Sequence, residues 1–311
     1  MPFYTYTAAG TRTLRQKGDI RDVITRLDVR FHPLYKFLPK TPAKDVYVEG
    51  VEDVLASPDR NNAYAEGANA PAAVDTARSM NGNYCQLLLK TAHVSDTQKA
   101  VAQYGLDNEL AYQEAKKAVE LMRDIELFTV SNGIAQAPTA ANLRIGRMAG
   151  IATIIVSHIR PCSSFNQTSW NQLMEGVLRD GGWPTRGWMD AIRKRLFSGW
   201  VTNIQRVSEM TRSLESEVNA YHGPLGPTVT VDWHPMLPAD VTGNGGATCC
   251  FVIQPDLWEI KELLTLNRQP IGNAGSAKAT MLEWQGAVRC NAEKGNFEYL
   301  DALTTTTSAR Q

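Results

Sequence analysis

The chain has 311 residues, and its 32 Lys and Arg residues balance its 32 Asp and Glu residues, so the formal net charge is zero. Hydrophobic residues make up 43% of the sequence, enough to bury the core of one large domain or two medium ones, which excludes a wholly disordered chain. No apolar run approaches the roughly 18 residues of a membrane span, and no secretory signal begins the sequence. The five Cys residues are too few for a disulfide scaffold. We therefore expect a soluble protein made inside the cell, without a membrane partner.

The zero net charge conceals segments of opposite sign. The balance is +4 over residues 1–50, −2 over 51–106, −3 over 107–142, +6 over 143–212 and −5 over 213–311. A neutral chain is poorly suited to binding nucleic acid tightly. Segments of alternating charge would supply the electrostatic complementarity that a self-assembling chain needs. The same pattern also fits ordinary solvated surfaces.

The first hundred residues predict extended structure after an arm. Residues 18–30 have apolar spacing that indicates a short helix, which ends before Pro33. Alternating or continuous apolar residues predict a strand near 46–51 and a return strand near 84–89. Between them, residues 56–83 are rich in Ala, Asn and Gly, and such a long stretch predicts an exposed loop.

The strongest local signal is a long helix over residues 107–132. Asp107 is a suitable N-cap, and Gly133 is a suitable stop. At ~1.5 Å per residue this helix would be roughly 38 Å long. Its apolar face is a narrow stripe, which predicts a spine laid across a sheet or a neighbour; the stripe consists of Ala111, Ala115, Ala118, Met122, Ile125 and Thr129.

The rest of the chain predicts helices followed by strands. Residues 140–220 keep helical spacing, including one stripe from Met189 to Trp200. Strands are predicted at 229–233 and 281–290. A continuous apolar strand at 249–253 is followed by a helix opened by Pro255 and Asp256. The predicted fold class is therefore α+β.

The search for chemistry finds no catalytic, cofactor-binding or metal-ligating residues. None of the five His residues has a metal-ligand spacing. Asp232 and His234 share a strand face, but no nucleophile motif completes an acid–imidazole pair. Adjacent strand residues point to opposite faces, so Cys249 and Cys250 cannot chelate one metal, and buried thiols account for all five Cys.

Arg193, Lys194 and Arg195 form the densest basic run. Because the run lies beside an apolar stripe, it fits the solvated face of an amphipathic helix. Contact with nucleic acid is the other interpretation, although no aromatic residues interleave with the run.

Several stretches in collinear order resemble the major capsid proteins of tailed bacteriophages, which have the Hong Kong 97 fold, and most closely the branch typified by the phage SU-ten major head protein. The resemblance covers roughly residues 18–300. It is carried by Asp19-Ile20, Val23-Ile24, Pro33-Leu34, Phe37-Leu38, Glu66-Gly67-Ala68-Asn69, Asn83-Tyr84-Cys85-Gln86, Val94-Ser95-Asp96-Thr97-Gln98, Asp107-Asn108-Glu109-Leu110-Ala111-Tyr112-Gln113, Lys116-Lys117, Glu120-Leu121-Met122-Arg123-Asp124-Ile125-Glu126 and Arg144 with Arg147-Met148-Ala149-Gly150-Ile151.

This resemblance implies five regions. Residues 1–45 would be the N-terminal arm, and 46–100 the extended loop that reaches over a neighbouring subunit. Residues 101–140 would form the peripheral domain with its spine helix. Residues 141–250 would form the axial domain, and 251–311 would return to the peripheral domain and end in a tail.

The resemblance also implies a structural role without enzyme activity or cofactors. The protein would assemble with itself into hexamers and pentamers of an icosahedral head in the host cytoplasm, and would reside in the virion. Portal, scaffold and decoration proteins are further expected partners, and packaged double-stranded DNA would be contacted weakly. Candidate intersubunit contacts are Arg12, Arg15, Lys17, Arg21, Glu66, Gly67, Arg193, Lys194 and Arg195. Gly105 and Gly133 are candidate hinges at the ends of the spine helix.

Three alternatives remain at this point. A cellular nanocompartment shell of the same fold would enclose an enzyme instead of DNA. An α+β enzyme with an unrecognised site would form a small oligomer with a polar pocket. A nucleic-acid-binding protein would bind DNA as an isolated subunit, with steep salt dependence.

Overall fold

The computed structural model describes residues 33–53, 55, 58–72, 78–100, 108–200, 219–223, 226–238, 247–272 and 275–300. The α-helices are α1 (Pro33–Phe37), α2 (Asp96–Ala100), α3 (Glu109–Val130), α4 (Ile151–Ile154), α5 (Gln167–Arg179) and α6 (Ala191–Gly199). The strands are β1 (Lys40–Pro42), β2 (Tyr47–Glu52), β3 (Ser79–Tyr84), β4 (Gln86–Ser95), β5 (Ile159–Pro161), β6 (Arg186–Met189), β7 (Ala220–His222), β8 (Thr228–Trp233), β9 (Thr248–Ile253), β10 (Trp258–Ile271), β11 (Ala277–Cys290) and β12 (Phe297–Leu300). Helices and sheets both contribute, so the predicted α+β class is confirmed.

A four-stranded sheet in the order β1-β10-β11-β4 carries α3 across one face. Leu121 and Ile125 of α3 pack into the same core as Trp258 and Trp284 of the sheet, and all four are buried. At the rim, Lys90 Nζ lies 2.7 Å from Asp124 of the helix. The predicted spine helix is thus a real element laid across a sheet.

The bounds and the buried face of α3 differ from the prediction. The helix has 22 residues, and the Asn108 side chain caps it by accepting a hydrogen bond from the Ala111 amide at 3.2 Å. Its buried face is set by the sheet, so Leu121, Glu126 and Val130 are buried whereas Ala111 is exposed. The small residues of the predicted stripe therefore do not all face the core.

A second sheet has six strands in the order β5-β12-β9-β6-β8-β7. It packs against α5 and α6 around Trp170, whose ring contacts Phe197 and Phe297 at centroid distances of 5.5 and 5.0 Å. Strand β9 lies in the middle of the sheet and is buried at every position, which explains its continuous apolar sequence. The predicted strands at 229–233 and 249–253 are confirmed by β8 and β9.

The helix predicted after Pro255 and Asp256 is wrong. A short 3-10 turn there leads directly into β10, a strand that pairs with β11 on one side and β1 on the other. The apolar spacing fitted both structures, since Trp258 and Ile260 are also two residues apart and share a strand face. The segment is a strand because it forms backbone hydrogen bonds with β11 and β1.

The prediction of a helix over residues 140–158 is also largely wrong. The only α-helical turn there is α4, because a tight turn over residues 137–146 and strand β5 occupy the flanks. The stripe beginning at Met189 is interrupted in the same way. Met189 ends β6, and Asp190 caps α6 by accepting a hydrogen bond from the Arg193 amide at 2.8 Å.

Two of the five Cys residues are not thiols, which corrects the expectation for this residue type. Cys162 and Cys249 form a disulfide with a Cα–Cα distance of 6.4 Å. Since adjacent strand residues point to opposite faces, Cys250 stays a buried free thiol. Cys85 and Cys290 are also buried and free.

Candidate intersubunit surfaces

Strands β2 and β3 form a two-stranded ribbon separate from both larger sheets. Tyr47, Val51 and Met80 lie on its outer face, where they are exposed. The Tyr47 ring crosses Gly82, since a Cβ at Gly82 would lie 2.1 Å from the Tyr47 hydroxyl oxygen, and it stands 4.6 Å from the Tyr84 ring. A ribbon with one exposed apolar face is suited to packing against another surface.

The base of the ribbon is firmly attached to the body. The Asn83 amide group donates to the carbonyl oxygens of Ala149 and Val288 at 3.0 and 2.7 Å, and Asn83 Oδ1 accepts from the Ala149 amide at 2.8 Å. The Arg289 guanidinium lies against Gly50, where a Cβ would come within 3.2 Å of it. The ribbon is therefore held in a fixed direction.

Glu66 and Gly67 lie beyond the outer end of the ribbon. Every described residue from 58 to 72 is exposed, and Gly67 has a φ of 81°, which favours glycine. The Ala68 amide closes this bend by donating to the Ala65 carbonyl at 3.0 Å. The predicted loop is shorter than expected, because residues 79–83 belong to β3.

The basic run on α6 does not form one solvated face. Lys194 is buried, and its ammonium group donates to Asn219 Oδ1 at 2.8 Å and to the Val231 carbonyl at 2.7 Å. The Arg193 guanidinium donates to Asp190 at 2.8 Å. Arg195 is exposed. The solvated-face interpretation is thus wrong for Lys194, whose charge serves the packing of α6 on β8.

The remaining predicted residues fall in two groups. Arg12, Arg15, Lys17, Arg21 and Gly105 lie outside the described residues. Gly133 is described and buried just beyond α3, where its carbonyl accepts a hydrogen bond from the Gly150 amide at 3.2 Å.

A buried polar cluster around Glu126 joins three parts of the chain. Glu126 Oε1 accepts from the Leu34 amide at 2.9 Å, and Oε2 accepts from the Tyr35 amide at 2.8 Å. His234 Nε2 lies 2.8 Å from Glu126 Oε1. Because His234 Nδ1 accepts from the Met236 amide at 3.2 Å, we assign the imidazole proton to Nε2, which donates to the carboxylate.

The sequence reasoning missed this cluster. The strand spacing offered only Asp232 as a neighbour of His234 on the same face, whereas Asp232 pairs with Arg186. The available signal was a carboxylate on the otherwise apolar face of a long helix, since a buried charge needs several partners. Here those partners come from residues 92, 91 and 108 positions away along the chain.

A second anchor lies close to the first along α1. The Tyr35 hydroxyl donates to Glu262 Oε1 at 3.0 Å, and burial together with the Glu262 charge raises the pKa of Tyr35 well above its ordinary range. The Trp284 indole donates to the same oxygen at 2.9 Å. Helix α1 is thereby attached to both α3 and the four-stranded sheet.

The structure shows no obvious catalytic centre in its described part. No group of three His, Cys, Asp or Glu side chains could hold a metal ion among the residues it covers. A groove of about 430 Å³ at the ribbon base is lined by both apolar and polar residues, with Ile134, Ile154, Val156, Glu52 and Glu293 among them. No described helix is long and apolar enough to cross a membrane.

Comparisons with known proteins agree with one another. The major capsid protein of Escherichia phage Phieco32 is 42% identical over 79 residues, which are 25% of this chain and 22% of that relative. The match therefore spans under a quarter of the relative's length.

Two solved structures are similar over nearly their full length. One is a structure from Gordonia phage Cozz, with a TM-score of 0.62 and 11% sequence identity. The alignment covers 97% of this chain and 98% of the Cozz chain. The other is the holo-SrpI encapsulin complex from Synechococcus elongatus PCC 7942, with a TM-score of 0.57 at 11% identity over 94% and 96% of the two chains. At these identities the likeness shows a shared fold. Since the model of the SU10 major capsid protein family matches residues 4–301, the chain belongs to that family and has the Hong Kong 97 type of fold.

Proposed function

We propose that this protein is the structural major capsid protein of a tailed bacteriophage, without enzyme activity or a cofactor. It assembles with itself into hexamers and pentamers of an icosahedral head that encloses double-stranded DNA. The observation that carries the proposal is the family match over residues 4–301. The ribbon with its exposed apolar face supports it, because an exposed apolar face of this kind is suited to packing against another molecule.

The proposal includes the five regions 1–45, 46–100, 101–140, 141–250 and 251–311 as arm, extended loop, peripheral domain, axial domain and peripheral return. The two sheets support this division, since α3 lies on one and α5 and α6 lie on the other. Because β12 pairs with β9 and β5 in the six-stranded sheet, the proposal assigns residues 297–300 to the axial domain.

The proposed partners follow from a closed shell. The main partner is the chain itself, and portal, scaffold and decoration proteins join it during assembly in the host cytoplasm. The neutral net charge supports only weak contact with the packaged DNA, because DNA affinity depends on neutralising phosphates with cationic side chains.

Within this shell, the basic arm residues Arg12, Arg15, Lys17 and Arg21 meet acidic groups of adjacent subunits. Replacing all four with Glu should prevent shell formation, since the complementary charges would then repel. Normal shells from this variant, observed by electron microscopy, would refute the arm contact alone.

Further proposed contact residues are Glu66, Gly67, Arg193 and Arg195. Lys194 is buried, and its proposed role is only to hold α6 in place beneath the two arginines. Gly105 and Gly133 are proposed as hinges that let one sequence occupy five-fold and six-fold positions.

Electron microscopy of the purified full-length protein or its particles tests the function. Icosahedral shells are expected. A stable monomer or dimer at high protein concentration would overturn the proposal and favour the enzyme alternative. The fold shared with an encapsulin keeps a nanocompartment shell as the second candidate. Nuclease-protected DNA inside phage particles supports the head, whereas an enclosed enzyme would support the nanocompartment.

A further inference from the structure

A tight turn over residues 137–146 follows the spine helix. It is closed at its stem by paired backbone hydrogen bonds between Gln136 and Arg147, at 2.9 and 3.1 Å. Inside it, Asn142 Nδ2 donates to the Ala137 carbonyl at 2.6 Å, and the Thr139 amide donates to Asn142 Oδ1 at 2.9 Å. These bonds fix the turn in one conformation.

The tip of this turn, residues 143–145, has an unfavourable backbone. Leu143 and Arg144 have φ values of 56° and 60°, and they are the only non-glycine residues with positive φ in the described chain. Leu143 gains nothing from burial, since it is 84% exposed. Two successive left-handed residues without glycine are costly, and such backbone outliers cluster at functional sites.

The tip presents two aliphatic side chains around one cation. Ile145 is 51% exposed, and Arg144 is exposed as well. No hydrogen bond or ion pair joins the Arg144 side chain to any other described residue. These three side chains are complementary to a surface that is apolar and carries a carboxylate.

A surface of this composition lies on the ribbon, within the described part of the chain. The outer ribbon face consists of Tyr47, Glu49, Val51 and Met80, with Val51 directly opposite Met80 in the strand register. Glu49 lies between the two apolar ends of this face. Within the described part of the chain, its carboxylate has no ion-pair or hydrogen-bond partner.

The turn and the ribbon arise from the same point of the molecule. A Cβ at Gly146 would lie 2.9 Å from the Cys85 carbonyl oxygen, at the ribbon base. The Met148 amide donates to Gln86 Oε1 at 3.2 Å, and Ala149 is bonded to Asn83 as described above. Each copy thus presents the two surfaces in a fixed relation to each other.

We propose that the turn tip of one copy docks on the outer ribbon face of a second copy, with Arg144 pairing with Glu49 of that second copy. The inference rests on the proposed function, because it specifies one contact between shell subunits. Two different surfaces of one chain make a head-to-tail interface, and such interfaces close into rings when the rotation permits. The contact would therefore recur around each hexamer and pentamer.

Charge reversal tests the pairing in the full-length protein. Arg144→Glu and Glu49→Arg should each lower the fraction of protein sedimenting as shells by about tenfold or more, because like charges then face each other. The double variant should restore assembly to within about threefold of the original chain. Arg147→Glu is the matched control, since Arg147 is an exposed arginine at the stem of the same turn.

Leu143→Gly separates docking from folding. Glycine adopts the left-handed backbone without strain, so the thermal midpoint of the subunit should not fall. Assembly should still fall about threefold or more, because the exposed aliphatic side chain is lost. Normal assembly by Leu143→Gly would contradict a role for the tip.

Crosslinking tests the direction of the contact. A variant with both Arg144→Cys and Glu49→Cys should form disulfides between chains on mild oxidation, giving a ladder on a non-reducing gel that extends to pentamers and hexamers. Only monomer-sized product would overturn the proposal, as would an equal ladder from the control variant with Arg147→Cys and Glu49→Cys. Failure of the unaltered chain to form shells would count against the proposed function, whereas shells that tolerate both charge reversals would overturn only this inference.

Discussion

Glu126 shows how one buried carboxylate can organise three distant parts of a chain. The side chain is fully buried, and it accepts hydrogen bonds from two backbone amides of α1 and from His234. Burying such a charge is unfavourable unless its oxygens are satisfied, as they are here. The cluster holds α1 and the segment after β8 against α3.

Replacing this carboxylate with an amide should destabilise the subunit. Glu126→Gln places an NH₂ group against amide donors that need an acceptor, so we expect unfolding to become easier by about 2–4 kcal/mol. Denaturant unfolding of the unassembled subunit measures the change. Glu120→Gln, on the same helix and paired with the partly exposed Lys117, should cost under about 1 kcal/mol. Equal losses from the two variants would contradict the importance of the cluster.

Because of its buried thiols, the stability of the subunit should depend on pH in the alkaline range. Burial raises the pKa of Cys85 to about 11 and that of Cys290 to about 12. In the unfolded chain these thiols ionise near pH 8.5. The unfolded state therefore loses its protons first, so this contribution to stability is complete below about pH 8.5 and is lost as the pH rises towards 11–12.

The thermal midpoint should accordingly fall as the pH rises from about 9 to 11. Each thiol that titrates in only one state contributes a slope of at most about 1.4 kcal/mol per pH unit. Cys85→Ala should reduce the slope, although it lowers the midpoint slightly at every pH. An unchanged slope in this variant would show that Cys85 does not contribute.

At the scale of elements, the disulfide joins the start of the α5 region to the middle of the six-stranded sheet. Cys162 precedes α5, and Cys249 lies on β9, 87 positions later in sequence. Closing such a long loop restricts the unfolded chain strongly. The disulfide thus supports a sheet assembled from strands that are far apart along the chain.

Removing this bond should lower stability by about 4–5 kcal/mol, as the loop-closure entropy of a loop of this length predicts. The measurement compares denaturant unfolding of the oxidised subunit with that of Cys162→Ala. Cys250→Ala is the matched control, since it removes an adjacent buried thiol without opening the loop. Peptide mapping without reductant should recover residues 162 and 249 in one linked species, and recovery of two free thiols would contradict the disulfide.

Strand β10 illustrates why an element can be misassigned. Leu257, Ile260 and Leu263 have helical spacing, yet the segment is a strand because β11 supplies an antiparallel partner along its length. The partner is close in sequence, but the pairing depends on how the whole sheet forms. In contrast, α3 carries a cap and a helical pattern within itself, so its existence and approximate length were predictable.

At the scale of the whole molecule, the loop beyond the ribbon contributes little to the stability of a single subunit. Every described residue from 58 to 72 is exposed. Its exposed apolar side chains, such as Leu55 next to it and Tyr64 within it, are not buried by any described residue. Folding and assembly should therefore respond differently to its removal.

Replacing residues 58–72 with a short Gly-Ser linker should leave the unfolding free energy within about 1 kcal/mol of the original, since shortening an exposed loop changes only closure entropy. The same variant should fail to form shells in sedimentation and electron microscopy. A linker variant that assembles normally would remove the loop from the proposed contacts, and one that unfolds easily would show that the loop supports the subunit itself.

Residue patterns alone were enough to predict the α+β class, the spine helix, the strands β8, β9 and β11, and a resemblance to a capsid family that the family match confirmed. These features rest on local signals, namely periodicity, capping and collinear motifs. The folded chain was needed to reveal the pairing of β10, the disulfide, the Glu126 cluster and the burial of Lys194. Each of these depends on residues brought together from far along the chain. The neutral charge balance belongs to the first group. The exposed surfaces that carry Arg144 and Glu49, neither of which pairs with another residue in the described part of the chain, belong to the second.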